Sequence, residues 1–353
     1  MDVPVTEVGK ALSVQNVALR GIVSAVPDTV VGNAVFEDKF GAKAVAEISR
    51  MTGVQSRRVS SENQTTADLS EAAARQLLEK LQWAPDSVDA IVFVSQTPDY
   101  RLPATACALQ ARLQLSAHCA AFDVNLGCSG YVYGLWIASK LIDGTGIRRV
   151  LLLAGDTSTK LVNPEDRATA MLFGDAGTAT ALEFDESAAP CWYVLGTDGS
   201  GEKNLIVPRS QYRTALPSDE KLSAVLPDYL YMDGAEVFNF TIRSVPPLVN
   251  QVLKISKKDI SALTHVFFHQ ANAFMLKHIA KKLSLRPEQF PINIDRFGNT
   301  SSASIPLLLA SMGDDAKAAR DVVMTGFGVG YSWAAVQLTM DGLQVCDLLE
   351  VSS

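Results

Sequence analysis

Apolar positions recur along the chain in two rhythms. Leu69, Ala73, Leu77 and Leu81 stand four apart, one face of an amphipathic helix, and predict a helix over 67–82. After the breaker Trp83-Ala84-Pro85-Asp86, the run Ala90-Ile91-Val92-Phe93-Val94 is short, continuous and apolar, the pattern of a strand buried on both faces. Residues 120–124 read as another buried strand, turning at Gly127-Cys128-Ser129-Gly130 into an apolar helix over 131–142, and 150–154 read as a third.

The second half repeats this order. A helix over 236–253 is followed by the polar break Ser256-Lys257-Lys258-Asp259 and a strand at 266–268. Then come Ile292-Asn293-Ile294-Asp295, a turn at Gly298-Asn299, an apolar helix over 304–311 and a strand at 322–324. Gln96 and Gln270 lie 174 apart, Cys128 and Asn299 171, Val150 and Val322 172. Offsets that close predict an internal duplication, with halves at 1–185 and 186–353; two unrelated α/β domains with similar element spacing are the alternative. Alternating strands and helices imply mainly parallel sheets covered by helices. The stretch 210–228, rich in Ser, Pro, Asp and Lys, is expected to be a mobile surface loop.

Composition narrows the function classes. A chain of 353 residues, 48% hydrophobic and 20% charged, can bury a large core and leaves no room for long disorder. A net charge of −7 argues against nucleic acid as a partner, which needs a basic face. The N-terminus lacks an apolar core of signal-peptide length, and no run of 18 apolar residues follows, so no membrane association and a cytoplasmic location are expected. Five cysteines, at 107, 119, 128, 191 and 346, fit neither a disulfide framework nor a zinc site; no metal is expected.

One cysteine stands apart. Cys128 falls where a strand turns sharply into a helix, and a thiol at a helix N-terminus feels the dipole and unpaired N–H groups that favour thiolate. Cys107, Cys119, Cys191 and Cys346 lie at no such turn. His269, in Val266-Phe-Phe-His-Gln-Ala-Asn, ends a strand and so points into the crevice where α/β sheets bind ligands. Asn299 occupies the second-half elbow that matches Cys128, so a pseudo-two-fold would bring thiol and amide together. Thr325-Gly-Phe-Gly-Val-Gly-Tyr supplies backbone N–H groups suited to an oxyanion hole.

Taken together and in order, Gly127-Cys-Ser-Gly130, Phe173-Gly-Asp-Ala-Gly177, Met232-Asp-Gly-Ala-Glu-Val-Phe, His269-Gln-Ala-Asn272, Gly298-Asn-Thr-Ser-Ser-Ala-Ser and Gly326-Phe-Gly-Val-Gly resemble the β-ketoacyl-acyl carrier protein synthase III family. The resemblance covers nearly the whole chain. It implies an α/β thiolase fold, five layers α-β-α-β-α from two duplicated halves, each a mixed five-stranded sheet with helices, in a homodimer joined near residues 103–125. It implies an acyltransferase without a cofactor, whose substrates are thioesters of coenzyme A or acyl carrier protein. Cys128 would accept the starter acyl group, while His269 and Asn299 hold the thioester carbonyl of a malonyl extender as it loses carbon dioxide. Phe327 would face the departing carboxylate, and the N–H groups of Cys128 and Val329 would form a second oxyanion hole. Arg167, Leu102, Asn272 and Phe274 would contact substrate.

Departures concern the grip on the carrier. Glu47 and Met51 stand where the family usually has Trp and Arg for coenzyme A, Phe274 and Asn239 replace carrier-docking Arg and Lys, and Val329 replaces a glycine; Arg167, Lys281 and Lys282 match. Two other functions remain open: transfer of the Cys128 acyl group to a hydroxyl or amine without decarboxylation, and a non-catalytic partner subunit.

Overall fold

The computed structural model describes residues 6–210, 212–213, 222 and 225–352. The expected loop at 210–228 falls largely outside them. Two sheets carry the architecture. The first contains β2 (Val17–Pro27), β3 (Ala90–Val94), β4 (Ala120–Val124), β5 (Arg149–Thr157), β6 (Asp175–Phe184) and β11 (Val345–Val351), in the order β11-β2-β6-β5-β3-β4. The second contains β1 (Lys10–Val14), β7 (Cys191–Thr197), β8 (His265–Phe268), β9 (Asp321–Gly328) and β10 (Ser332–Thr339), in the order β1-β7-β10-β9-β8. In both, four strands taken in chain order sit as first, fourth, third and second.

The helices α1 (Ala42–Thr52), α2 (Thr66–Leu81), α3 (Thr105–Arg112), α4 (Gly130–Leu141), α5 (Gly234–Ser256), α6 (Ala273–Lys282) and α7 (Ser304–Met312) complete the layers. Between the sheets lie α4 and α7: Tyr131, Val132, Leu135, Ile305 and Leu308 share one core with Val92 and Leu152 from the first sheet and Met324 and Val336 from the second. The opposite face of the first sheet packs Ile91, Phe93 and Leu151 on Leu69, Leu77 and Leu109 of α2 and α3. The second sheet packs Val194, Val266 and Val323 on Leu248, Val252 and Leu276 of α5 and α6. The sequence Ala90–Val94 is thus apolar at every position because odd and even residues enter different cores.

Four expectations change. The sheets are mixed, as the resemblance implies, rather than mainly parallel as the alternation of elements implies: in the first, β6 runs antiparallel to β2 and β5, and in the second only β8 and β9 are parallel. The first sheet has six strands, not five, because the C-terminal β11 pairs with β2, while the N-terminal β1 pairs with β7 in the second sheet. The terminal strands therefore cross the expected boundary at 185/186. Ile294–Phe297 is one helical turn, so the second sheet has no counterpart of β4. And β4 is the partly exposed edge of its sheet, not a buried strand.

The Phe173–Gly177 motif ties distant segments of the first half to one another. Asp175, fully buried, accepts hydrogen bonds from Ser60 N (2.9 Å), Ser60 Oγ (2.6 Å), Thr159 N (2.9 Å) and Thr159 Oγ1 (2.6 Å). It also supports Arg57, whose guanidinium burial pushes down to about 10 while Asp175 pulls it back up. Asp175→Ala strands those donors and a buried cation, so it should cost about 3 kcal/mol, seen as a lower urea midpoint at unchanged m-value.

Candidate active site

The site is built where the middle-layer helices begin. The chain leaves β4, turns through Gly127, whose carbonyl accepts the Gly130 N–H at 2.6 Å, and enters α4. A side chain at Gly127 would put its Cβ 2.2 Å from Gln96 Oε1 and 2.9 Å from Val329 Cγ1, so only glycine lets these walls close. Cys128 is 8% exposed. Gly328 of β9 presses on it so closely that a Cβ there would stand 2.9 Å from Cys128 Sγ.

This burial reverses one expectation. The thiol is pushed up to about 11, first by loss of water and second by the charge of Asp156. The backbone N–H of Val329, the Ser301 hydroxyl and the N–H of Cys128 itself act the other way. The helix start does supply stabilising N–H groups, but dehydration outweighs them. Alkylation of Cys128 by iodoacetamide, followed by peptide mass, should therefore be slow at neutral pH and climb about tenfold per pH unit toward pH 11.

His269 directly follows β8, its N–H donating to Thr325 O at 2.8 Å, and is 1% exposed. Nδ1 lies 2.7 Å from Ser304 Oγ at the start of α7. Ser304 Oγ also accepts the Gln270 N–H at 3.3 Å and still has its own proton to donate to Nδ1, a pairing that places the ring proton on Nε2. Burial pushes the imidazole down to about 3, with the Ser301 carbonyl working weakly against it, so the ring is neutral at physiological pH. Phe327 stands edge-on to it, with ring centroids 5.6 Å apart.

Asn299 is held through its backbone: its N–H donates to Leu172 O at 2.9 Å and its carbonyl accepts from Gly174 N at 3.1 Å. Gly298, at φ +67°, allows this approach, since a Cβ there would meet Leu172 O at 2.5 Å. The side-chain Oδ1 accepts the Ser301 N–H at 2.9 Å, which leaves the Nδ2 amide as the group presented to the cavity.

Cys128, His269, Asn299, Phe327 and Gly328 line one inner chamber of about 70 Å³. Leu172, Met232, Gly234, Asn272 and Met275 continue from it into an outer cavity of about 560 Å³ that includes Arg167, Phe274, Glu47 and Met51. The route from surface to thiol thus begins between α1, α5 and α6. Asn272 also caps α6, accepting from Met275 N at 2.8 Å. A second recess behind Cys128, of about 40 Å³, is lined by Gln96, Asp156, Ser301 and Val329.

Comparison with known proteins places the chain in a family. Residues 122–199 match the family model 3-oxoacyl-[acyl-carrier-protein] synthase III, and 253–340 match that of its C terminal region. Beta-ketoacyl-[acyl-carrier-protein] synthase III of Clostridium tetani is 36% identical over 82% of this chain and 88% of its own length; that of Symbiobacterium thermophilum is 34% identical over 93% and 99%. The chain belongs to the 3-oxoacyl-[acyl-carrier-protein] synthase III family. The crystal structure of 3-oxoacyl-(acyl-carrier protein) synthase from Burkholderia xenovorans is similar throughout, at TM-score 0.95 and 46% identity over 98% of this chain and 99% of that one. The fold is accordingly the thiolase fold of synthase III structures, and the resemblance carried by the sequence motifs holds.

Leu102 lines none of these cavities; it is 76% exposed, on the connection between β3 and α3. Ser304 and Asp156 are site residues that pattern reading did not single out. Ser304 was visible as the last serine of the Gly298 motif, whereas nothing local marks Asp156. Among the described residues, no group of His, Cys, Asp or Glu is placed to hold a metal, and no helix is long and apolar enough to cross a membrane.

Proposed function

We propose that this enzyme carries an acyl starter as a thioester on Cys128 and condenses it with malonyl-acyl carrier protein, releasing carbon dioxide and a 3-oxoacyl product. The observation that carries this reading is the pair of neutral donors, His269 and Asn299, which share the inner chamber with the thiol. Loss of carbon dioxide from a malonyl thioester leaves an enolate, and its oxygen needs donors already aimed at it. Ser304 holds His269 from behind and Ser301 holds the Asn299 oxygen, so each residue offers an N–H and neither needs to turn. Phe327, edge-on to His269, excludes water beside the group that leaves, which favours uncharged carbon dioxide over the carboxylate.

When the enolate carbon attacks the Cys128 thioester, the second oxyanion is held by the N–H groups of Cys128 and Val329. Arg167, Asn272 and Phe274 flank the route taken by the arm that delivers either thioester, from coenzyme A or from acyl carrier protein. Incubation with a panel of acyl thioesters, followed by intact mass, tests the first half-reaction; a wild-type chain that gains no acyl mass overturns the reading.

A homodimer in the cytoplasm is part of this proposal. Among the described residues β4 ends its sheet with one edge unpaired and residues only partly covered, and Tyr100 and Leu102 are exposed on the connection between β3 and α3. Such an edge is usually covered by another strand. Light scattering at micromolar concentration should give twice the chain mass of 37.9 kDa, and a monomer would count against the assembly.

A further inference from the structure

Two spaces meet at Cys128. The inner chamber with His269 and Asn299 opens to the entry cavity, so it has to stay free for the extender and the arm that carries it. The acyl group on the sulfur therefore extends the other way, into the recess of about 40 Å³ behind Cys128. That recess has a second space beyond it. Gln96, Leu161, Leu205, Leu230 and Val329 line both the recess and a far cavity of about 640 Å³, which reaches exposed Arg101, Lys160 and Glu202.

Between the two stands a constriction of one stiff and one flexible side chain. Gln96 Oε1 and Val329 Cγ1 both lean over Gly127, 2.2 Å and 2.9 Å from where a Cβ would stand, so they close in beside the residue that precedes the thiol. Val329 directly follows β9, and its carbonyl accepts the Ser332 hydroxyl at 2.9 Å. Ser332 Oγ in turn lies 2.6 Å from Ser129 Oγ, next to Cys128. The loop is thus tied to the nucleophile's own turn, and a β-branched side chain on it is restricted at χ1, which makes Val329 a fixed wall. Gln96 is held by its backbone N–H, which donates to Asp156 at 2.7 Å, while its amide side chain makes no hydrogen bond among the described residues. That side can yield.

We propose that Val329, with Gln96 beside it, sets the length of the starter acyl group, admitting chains of about two to four carbons and barring longer ones from the far cavity. This inference deepens the proposed function and rests on Cys128 being the acyl carrier. The size follows from the recess: each water-sized group needs about 10–15 Å³, so about 40 Å³ seats roughly three carbons beyond the thioester carbonyl. The next carbon meets the Val329 side chain. A methylene forced against a wall that cannot move costs about tenfold to two-hundredfold in discrimination.

Intact mass against time tests this with acetyl, butyryl, hexanoyl and octanoyl thioesters, each presented on coenzyme A and on acyl carrier protein. The wild type should load acetyl and butyryl readily and octanoyl about a hundredfold more slowly. Val329→Gly should raise the octanoyl-to-butyryl ratio about tenfold or more, and Val329→Ala by less. Gln96→Ala should raise it less again, because the glutamine already yields. Val329→Ile narrows the recess further and should lower butyryl loading relative to acetyl. Ratios are the decisive readout because the Val329 N–H also belongs to the proposed oxyanion hole. A disturbed loop slows every chain length together, whereas a widened recess changes their order. A wild type that loads octanoyl as fast as butyryl overturns this inference alone, as does a ratio unchanged in both Val329→Gly and Val329→Ala. A wild type that gains no acyl mass from any of the thioesters overturns the proposed function and this inference with it.

Discussion

Cys128→Ala should take up no acyl group from any thioester, with intact mass unchanged after incubation and condensation reduced to background. The loss is complete because no other thiol shares the site: among the cysteines, only Cys128 lines the chamber with His269 and Asn299. Stability should change little. Alanine keeps the Cβ against which Gly328 packs, at 2.6 Å from where a Cβ of its own would stand, and removes only one sulfur from a small chamber. A cost of about 1 kcal/mol or less is expected for that deletion, measurable as a small shift in the urea midpoint. Removal of the thiol also removes a group whose folded pKa is raised. The wild type therefore holds a small stability advantage below about pH 9 that fades as pH rises toward 11, and the variant should not show it. Acyl mass on Cys128→Ala would move the nucleophile elsewhere and reduce the elbow to architecture.

Local pattern revealed the elements that are buried in a regular way. Ala90–Val94, read as a strand covered on both sides, has all five residues buried, and the helices that open the two elbows stand where apolar runs placed them. What failed has a common cause, which is that partners distant in sequence leave no periodic trace. Nothing in Val345–Val351 says that it pairs with β2, nor in Lys10–Val14 that it joins β7. β4 has the composition of a central strand but lies at an edge. The site follows the same division. Cys128 and His269 were marked by their position at strand ends and Asn299 by the repeat, whereas the Ser304 hydroxyl behind His269 is 35 residues away and Asp156 reaches Ser302 across 146. The thiol's direction of shift was misjudged because a helix start is legible in sequence and the dehydration around it is not.

His269→Ala and Asn299→Ala should each still load acyl groups onto Cys128 yet lose condensation by about a hundred- to a thousandfold, the usual cost of removing one donor to a developing oxyanion. Loading should be spared because the oxyanion hole proposed for it, the N–H groups of Cys128 and Val329, is touched by neither substitution. The pH dependence separates this role from the rival one, in which His269 takes a proton from an acceptor hydroxyl or amine. A ring pushed down to about 3 is already neutral across the range from pH 5 to 8, so a donor role gives no histidine inflection there and the defect of His269→Ala should be the same at each pH. Linkage gives an independent check with a definite sign. The folded value lies below the ordinary 6.5, so the neutral ring contributes stability that is present above about pH 6.5 and is lost as pH falls toward 3, and His269→Ala should flatten that decline. Malonyl-acyl carrier protein and malonyl-coenzyme A, labelled in the free carboxyl and mixed with acyl-loaded enzyme, then decide the reaction. One equivalent of labelled carbon dioxide per acyl group consumed is expected from the wild type and almost none from either variant. Acyl transfer to a small hydroxyl or amine acceptor, with no label released from either malonyl donor, would instead make the chain a plain acyltransferase on the same scaffold.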